Sequence, residues 1–415
     1  MLVSRMPSLL ESAYDSRFAS NRGASLDRKD AGQVTVVDRS ELAAIDRWPH
    51  AFSHLRKDSR YYEIIEETIC PEFRYRYFAI RNKAGQVCAI QPFFVLDQDL
   101  LAGIGPRVKA FADAIRRFWP RFLTMRTLMV GCAAGEGHLY GKEPGERSRQ
   151  AQILAANISS LARREKASLI VLKEFPAEYR DALSCFLSHG FSMMPSMPMT
   201  RLDISAYSSF DDYLSKAIKA KRRTEFRRKF KAAEQSSPIE LTVSSDAEAA
   251  IDDMYMLYEQ VYERAKLKFE KLTKSYFREI GRRMPDKARF FLWRQDGKLI
   301  AFSLCMVQGE TLYGEYLGLD YSIALKLHLY FYVMRDIMSW AIANGFKSIV
   351  STSLGYAPKL QMRHVLEPLD LYIRHTSPLM NAVLRRVSPL LEPTRSDETL
   401  KSFPNYDDLR ANTSA

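Results

Sequence analysis

The chain has 415 residues, enough for two or three domains, and its 47% hydrophobic and 12% aromatic content lets it bury sizeable cores. Its five cysteines (Cys70, Cys88, Cys132, Cys185, Cys305) are odd in number and far apart, which excludes a disulfide framework and the close pairs of a zinc or redox motif. Most of the formal net charge of +12 comes from one run, Lys216 to Lys231, where nine basic residues stand against a single Glu225. No apolar run approaches the roughly 20 residues that span a bilayer, and the N-terminus lacks a charged-then-apolar signal. A cytoplasmic, metal-free protein is expected.

In chain order, residues 1–32 read as a loosely held polar tail. Val34 to Asp38 opens as a strand, and Ser40 caps a helix running to about Leu55. A hairpin covers Tyr75 to Val95. The stretch to about Gly145 has a Gly/Pro break at Gly103 to Pro106, a basic apolar helix around Ala110 to Trp119, and a glycine cluster at Gly131, Gly135 and Gly137. An amphipathic helix (Arg147 to Arg164), a strand (Ser168 to Leu172), a helix (Ala177 to Ser188) stopped by Gly190 and a strand (Met199 to Ile204) follow. Tyr207 to Ala233 is helical and strongly basic, and helices over Asp246 to Arg264 and Thr273 to Arg283 lead to a second hairpin, Arg289 to Val307. Thr311 to Leu319 is a third strand. An aromatic helix (Leu325 to Ala343), a strand (Lys347 to Thr352), a helix from about Lys359 and a strand (Leu369 to Arg374) come next, and the tail after Pro393 is polar and frayed.

The two hairpins share their punctuation about 213 positions apart. Each has an Arg (Arg81, Arg294) ending the first strand, a polar turn closed by Gly85 or Gly297, and Ala89 or Ala301 at one place in the second strand. Helix and strand then recur in the same order, at Lys166 to Val171 and Gly345 to Val350. A duplicated domain follows.

The order of helix, hairpin, third strand, helix, strand, helix, strand resembles the GNAT acyltransferase domain. This chain is similar to the branch with two such domains in tandem, closest to the Fem-like and cellulose-biosynthesis-type acetyltransferases. The likeness rests on Ser215 to Phe230, the Asp296-Gly297 hairpin and Gly355-Tyr-Ala-Pro-Lys359. It implies an α/β fold with mixed sheets and two tandem GNAT-like domains, at 33–205 and 206–376, the second opening on the basic helix, with a C-terminal helix and tail over 377–415. There is one departure. GNAT domains hold the coenzyme A pyrophosphate on a glycine-rich loop at a helix N-terminus, whereas Asp320 to Lys326 contains no glycine. Gly131 to Gly137 is either a displaced phosphate loop or a surface turn.

Acyl transfer to an amine needs a proton acceptor and a grip on the donor. Glu315, a charge on the third strand of the second half, is the candidate acceptor; its rival reading is an ion pair with Arg294 or a nearby Lys. Tyr356 and Lys359 follow a buried strand, where open α/β sheets place ligands; Tyr356 is a candidate acid and Lys359 a phosphate ligand. His328 is a further candidate, though a lone His on an aromatic helix is more often packed core. Lys326 and Arg222, Arg223, Arg227 and Arg228 are candidate phosphate ligands, with Arg223 and Arg227 one turn apart on one face. The basic helix also reads as a plain solvated face, or, with the amphipathic Met380 to Val387, as an anionic-membrane contact.

What the resemblance implies is N-acyl transfer from acetyl-CoA or another acyl-CoA to an amine of a small molecule or cell-envelope precursor, without a metal. Two alternatives stand beside it: a Fem-type transferase using aminoacyl-tRNA, favoured by the missing glycine loop and the basic helix, and a non-catalytic scaffold or nucleic-acid-binding module.

Overall fold

The computed structural model describes residues 33–69, 72–99, 117, 124–234, 237–265 and 268–410. The tail expected over 1–32, the helix around Ala110 to Trp119, the break at Gly103 to Pro106 and Cys70 lie outside these residues.

The first half contains β1 (Gln33–Val37), α1 (Arg39–Leu42), α2 (Ser59–Thr68), β2 (Arg74–Arg81), β3 (Val87–Asp99), β4 (Thr124–Val130), α3 (Pro144–Arg164), β5 (Leu169–Pro176), α4 (Arg180–Leu183), α5 (Cys185–Ser188), β6 (Ser192–Pro195) and β7 (Met199–Asp203). The second contains α6 (Phe210–Ala217), α7 (Ala220–Glu234), β8 (Ile239–Ser244), α8 (Ile251–Arg264), α9 (Lys274–Arg283), β9 (Ala288–Gln295), β10 (Lys298–Gln308), β11 (Thr311–Leu319), α10 (Leu329–Ala343), β12 (Ser348–Ser351), α11 (Tyr356–Gln361), β13 (Val365–Glu367), β14 (Leu369–His375) and α12 (Pro378–Val387).

Several expected elements differ. The helix from Ser40 is one short turn capped by Asp38, whose carboxylate takes the Ser40 and Glu41 amides in a capping box. The basic helix breaks at Ile218, which is extended, and Ser209 caps the first piece. The aromatic helix begins at Leu329, not Leu325, after His328 in the left-handed region. The tail expected to fray is ordered through Arg410. Leu400, Phe403 and Leu409 are buried against Met197, Tyr356 and Leu366, because apolar side chains recur in an otherwise polar stretch.

The strands form two seven-stranded sheets, ordered β1-β2-β3-β4-β5-β14-β6 and β13-β7-β12-β11-β10-β9-β8. The duplication is visible in their register. In the first hairpin Ile80 faces Ala89 and Arg81 faces Val87, so Cys88 is an extra residue. In the second, Trp293 faces Ala301 and Arg294 faces Leu299, so Ile300 is extra at the matching place. Both turns carry their glycine in the left-handed region, at φ 78° and 77° for Gly85 and Gly297.

The halves expected at 33–205 and 206–376 are not closed in sequence. β7 enters the second sheet between β12 and β13, and β14 enters the first between β5 and β6. Arg180 fixes β14 through both oxygens of the buried Asp370, at 2.7 and 3.0 Å. Strand alternation then sorts the cores. Phe78 and Ile80 pack on α3, Phe291 and Trp293 pack with α6, α7 and α10, while Tyr77, Ala79, Phe290 and Leu292 face one central core shared by both halves with α2, α8 and α9.

Candidate functional site

In both halves a parallel strand pair parts at an equivalent point. β4 and β5 run together to Val130 and Leu172, and β11 and β12 to Gly314 and Ser351. In the first half the chain itself fills the opening. Residues Gly131 to His138 fold back over β5, with the Gly137 amide donating to the Glu174 carbonyl at 3.1 Å. A Cβ at Gly137 would lie 2.7 Å from the Lys173 carbonyl and 2.8 Å from the Phe175 ring. The loop is buried, so it is neither a surface turn nor an exposed phosphate cradle. Gly137→Ala is expected to cost about 1–3 kcal/mol through overpacking, read as a lower denaturation midpoint at unchanged m-value.

Glu315 sits at the parting of the second pair. Leu304 faces Tyr316 while Cys305 faces Gly314, which leaves Glu315 as the extra residue of a bulge in β11. Its carboxylate pairs with Arg56, not with Arg294 or a lysine. Arg56 also pairs with Glu136, and its guanidinium lies 3.7 Å from the centre of the Tyr313 ring. Lys57 Nζ reaches Glu136 at 2.6 Å, His138 Nε2 lies 3.0 Å from Glu136 Oε1 and its Nδ1 3.2 Å from the Tyr179 hydroxyl. All five of these charged or ionisable groups, Arg56, Lys57, Glu136, His138 and Glu315, are buried. Burial alone would push Glu136 up, but the Arg56 and Lys57 charges outweigh it and hold the carboxylate well below its ordinary range. Burial lowers His138 and so favours its neutral form.

Nothing in the sequence marks Arg56, Lys57, Glu136 and His138 as a group. The one local signal was the pair of charges between apolar Leu55 and the α2 cap Asp58. Gly135 shows how tight the cluster is: at φ 91°, it would place a Cβ 2.0 Å from Lys57 Nζ.

The other sequence candidates do not join Glu315. The Tyr356 hydroxyl donates to the Pro198 carbonyl at 2.8 Å and is buried. Lys359 is buried behind the end of β12, donating to the carbonyls of Thr352 and Leu354, and burial pushes its amine down to about 7. Beside it His364, 1% exposed with both ring nitrogens unpaired, is pushed down to about 3 by burial and the Lys359 charge. His328 is exposed rather than core. Burial, then the neighbouring Lys229 and Arg228 charges, lower its pKa.

Arg223 does not straddle a ligand with Arg227; it donates to the Ser215 and Ile218 carbonyls at the end of α6. Arg222 lies 3.7 Å from Glu225. Arg227 lines a surface pocket of about 410 Å³ with Ser208, Ser209 and Arg335, and Arg228 and Lys326 are exposed.

The helix starts that would receive a donor pyrophosphate are partly engaged. Before α10, Leu329 N–H donates to the Ala324 carbonyl and Phe331 N–H to that of His328, which also accepts the first regular helix bond, from Tyr332. Asp320 takes the Ser322 amide and the Lys298 ammonium. Before α3, Glu146 accepts from the Lys142 and Glu143 amides, and Pro144 opens the helix.

Two mixed sheets, each with a hairpin, a third strand and a parallel crossover, define a tandem GNAT-fold protein. A FemAB-like family model, described as peptidoglycan biosynthesis/recognition, matches residues 76–360. The match spans more than half of the chain, which belongs to that family. FemX has the same fold, with a TM-score of 0.50 at 12% identity, covering 82% of this chain and 96% of its own. L-PGS from Bacillus licheniformis aligns at 0.48 and 10% identity, over 87% and 98% of the two chains. A tandem GNAT protein from the clavulanic acid biosynthesis pathway aligns at 0.44 and 11%, over 83% and 99%. The putative 8-amino-7-oxononanoate synthase 2 of Mycobacterium tuberculosis is 22% identical over 364 residues, 83% of this chain; the chain spans about half (46%) of that protein's length.

Proposed function

We propose that this protein transfers an aminoacyl group from tRNA to an amine of a cell-envelope precursor, with the reacting carbonyl at the parting of β11 and β12. The observation that carries the donor choice is the start of α10, entered through a glycine-free loop with His328 in the left-handed region as its cap. The Leu329 and Phe331 N–H groups there are bonded to the Ala324 and His328 carbonyls, so a pyrophosphate would have to displace those two internal bonds to bind as it does on a glycine loop. Beside that start stand the exposed cations Arg228 of α7 and Lys326, suited to a polyanion gripped by side chains.

The second parting supports the reaction site. β11 runs on to Leu319 while its pairing with β12 ends at Gly314, and Thr352 reaches back, from its amide to the Gly314 carbonyl at 3.3 Å and from its hydroxyl to the Glu315 carbonyl at 3.4 Å. A strand edge that loses its partner offers backbone donors to a substrate carbonyl. In this reading Glu315 fixes the bulge of β11 through Arg56, and Tyr356 and Lys359 hold the turn behind β12.

The test is transfer of a labelled amino acid to an amine-bearing muropeptide precursor, with charged tRNA or acetyl-CoA as the alternative donor. Charged tRNA is expected to give product, and Arg227→Glu with Arg228→Glu to weaken tRNA binding by tenfold or more with an unchanged circular dichroism spectrum. tRNA binding should also fall steeply with added salt. Turnover of acetyl-CoA without tRNA would refute the reading.

A further inference from the structure

We propose that α12 and the turn after it form a docking surface for an anionic phospholipid bilayer. This inference is independent of the donor assigned above. None of the residues of α12 is buried, although the helix carries Leu379, Met380 and Val383, which are 75%, 47% and 49% exposed. Leu390 and Leu391 continue the patch at 77% and 57%. Asn381 ties the helix to the Gly190 carbonyl at 2.9 Å, which brings the exposed Leu187 of α5 alongside. A cluster of this kind, as opposed to scattered single residues, marks an interaction surface.

Charge selects the occupant. From Leu371 to Leu391 the sequence contains no Asp or Glu, while Arg374, Arg385 and Arg386 fall within it. Arg385 and Arg386 are exposed, and the next carboxylate in the chain, Glu392, is taken by Arg395 and Arg410. Arg163 at the end of α3 adds a further charge close to Arg374. A second copy would set this basic rim against itself. An anionic lipid surface accepts both parts, burying the apolar side chains below the headgroups and pairing the arginines with phosphates.

The experiment is co-sedimentation of the full chain with phosphatidylcholine vesicles, with and without phosphatidylglycerol. Binding is expected with phosphatidylglycerol only, falling as salt rises. Leu379→Glu with Val383→Glu is expected to reduce partitioning by about tenfold or more, with unchanged circular dichroism because both side chains are exposed. Three outcomes would overturn the proposal: no binding to the anionic vesicles, equal binding by this variant, or self-association of the wild-type chain that the variant abolishes. Loss of binding on reversing the α7 charges, with the α12 variant unaffected, would overturn it as well by moving the contact to α7.

Discussion

Arg56→Met is expected to destabilise the fold by about 3–5 kcal/mol, because it removes one partner from a buried ion network and leaves the others uncompensated. As built, Arg56 and Lys57 balance Glu136 and Glu315, with His138 favoured neutral. The substitution leaves one cation for two carboxylates. Methionine fills much of the same volume, so the loss reports charge rather than a cavity. Adding Glu315→Gln restores the balance between Lys57 and Glu136, and the double variant is expected to be more stable than Arg56→Met alone. Denaturant unfolding of both single variants and the double closes a cycle; additive losses would disprove the charge-balance account. Acid should narrow the gap. Glu136 is held below its unfolded range, so its contribution is present above the unfolded pKa and is lost as pH falls through the folded one.

The parts of the fold legible in sequence are those fixed by neighbours. Gly85 and Gly297 mark their turns because a left-handed residue is needed there, whatever packs around it. Thr311 to Leu319 reads as a strand from its own alternation, and the structure keeps those bounds. The site was legible only at Glu315, as a charge on a strand. Its partners are 259 residues away in Arg56 and, one step further, Glu136, which is 79 residues from Lys57. Sequence periodicity carries no information over such separations. α2 and β4, which position these partners, were missed: the apolar positions of the first, Tyr61, Tyr62, Ile64 and Ile65, cover only one short stretch, and the second is a short strand whose Thr124, Arg126 and Thr127 break up its apolar residues. Lys359 and Tyr356 look like ligands by position but spend their polar atoms on backbone carbonyls. The exchange of β7 and β14 is equally silent, since an apolar strand reads alike in whichever sheet it ends.

That exchange is expected to leave separate halves unable to fold. The 33–205 segment alone keeps β1 to β5 and β6 but loses β14, the strand that joins β5 to β6. With it go buried Leu369 and Tyr372 and the carboxylate of Asp370 that both engages Arg180 and is shielded by it. The segment also carries β7 with no sheet to enter, an exposed strand prone to association. The 206–376 segment is damaged in the reciprocal way, keeping β13 but losing the β7 that links it to β12. Added to this is the central core, where Tyr61 and Tyr276 from opposite halves meet hydroxyl to hydroxyl at 3.2 Å. Each segment expressed alone is expected to be insoluble or to lack a cooperative denaturation transition, whereas 33–205 co-expressed with 206–415 is expected to co-purify as a folded pair, because β14 and β7 can be exchanged between chains as they are within one. A dispersed amide spectrum and a cooperative transition from 33–205 alone would show that the exchanged strands are dispensable to it. The coupling also reaches β12, which is bounded by β11 on one side and by β7, a strand of the other half, on the other, so the end of the β11–β12 pairing beside Glu315 rests on strands from both halves.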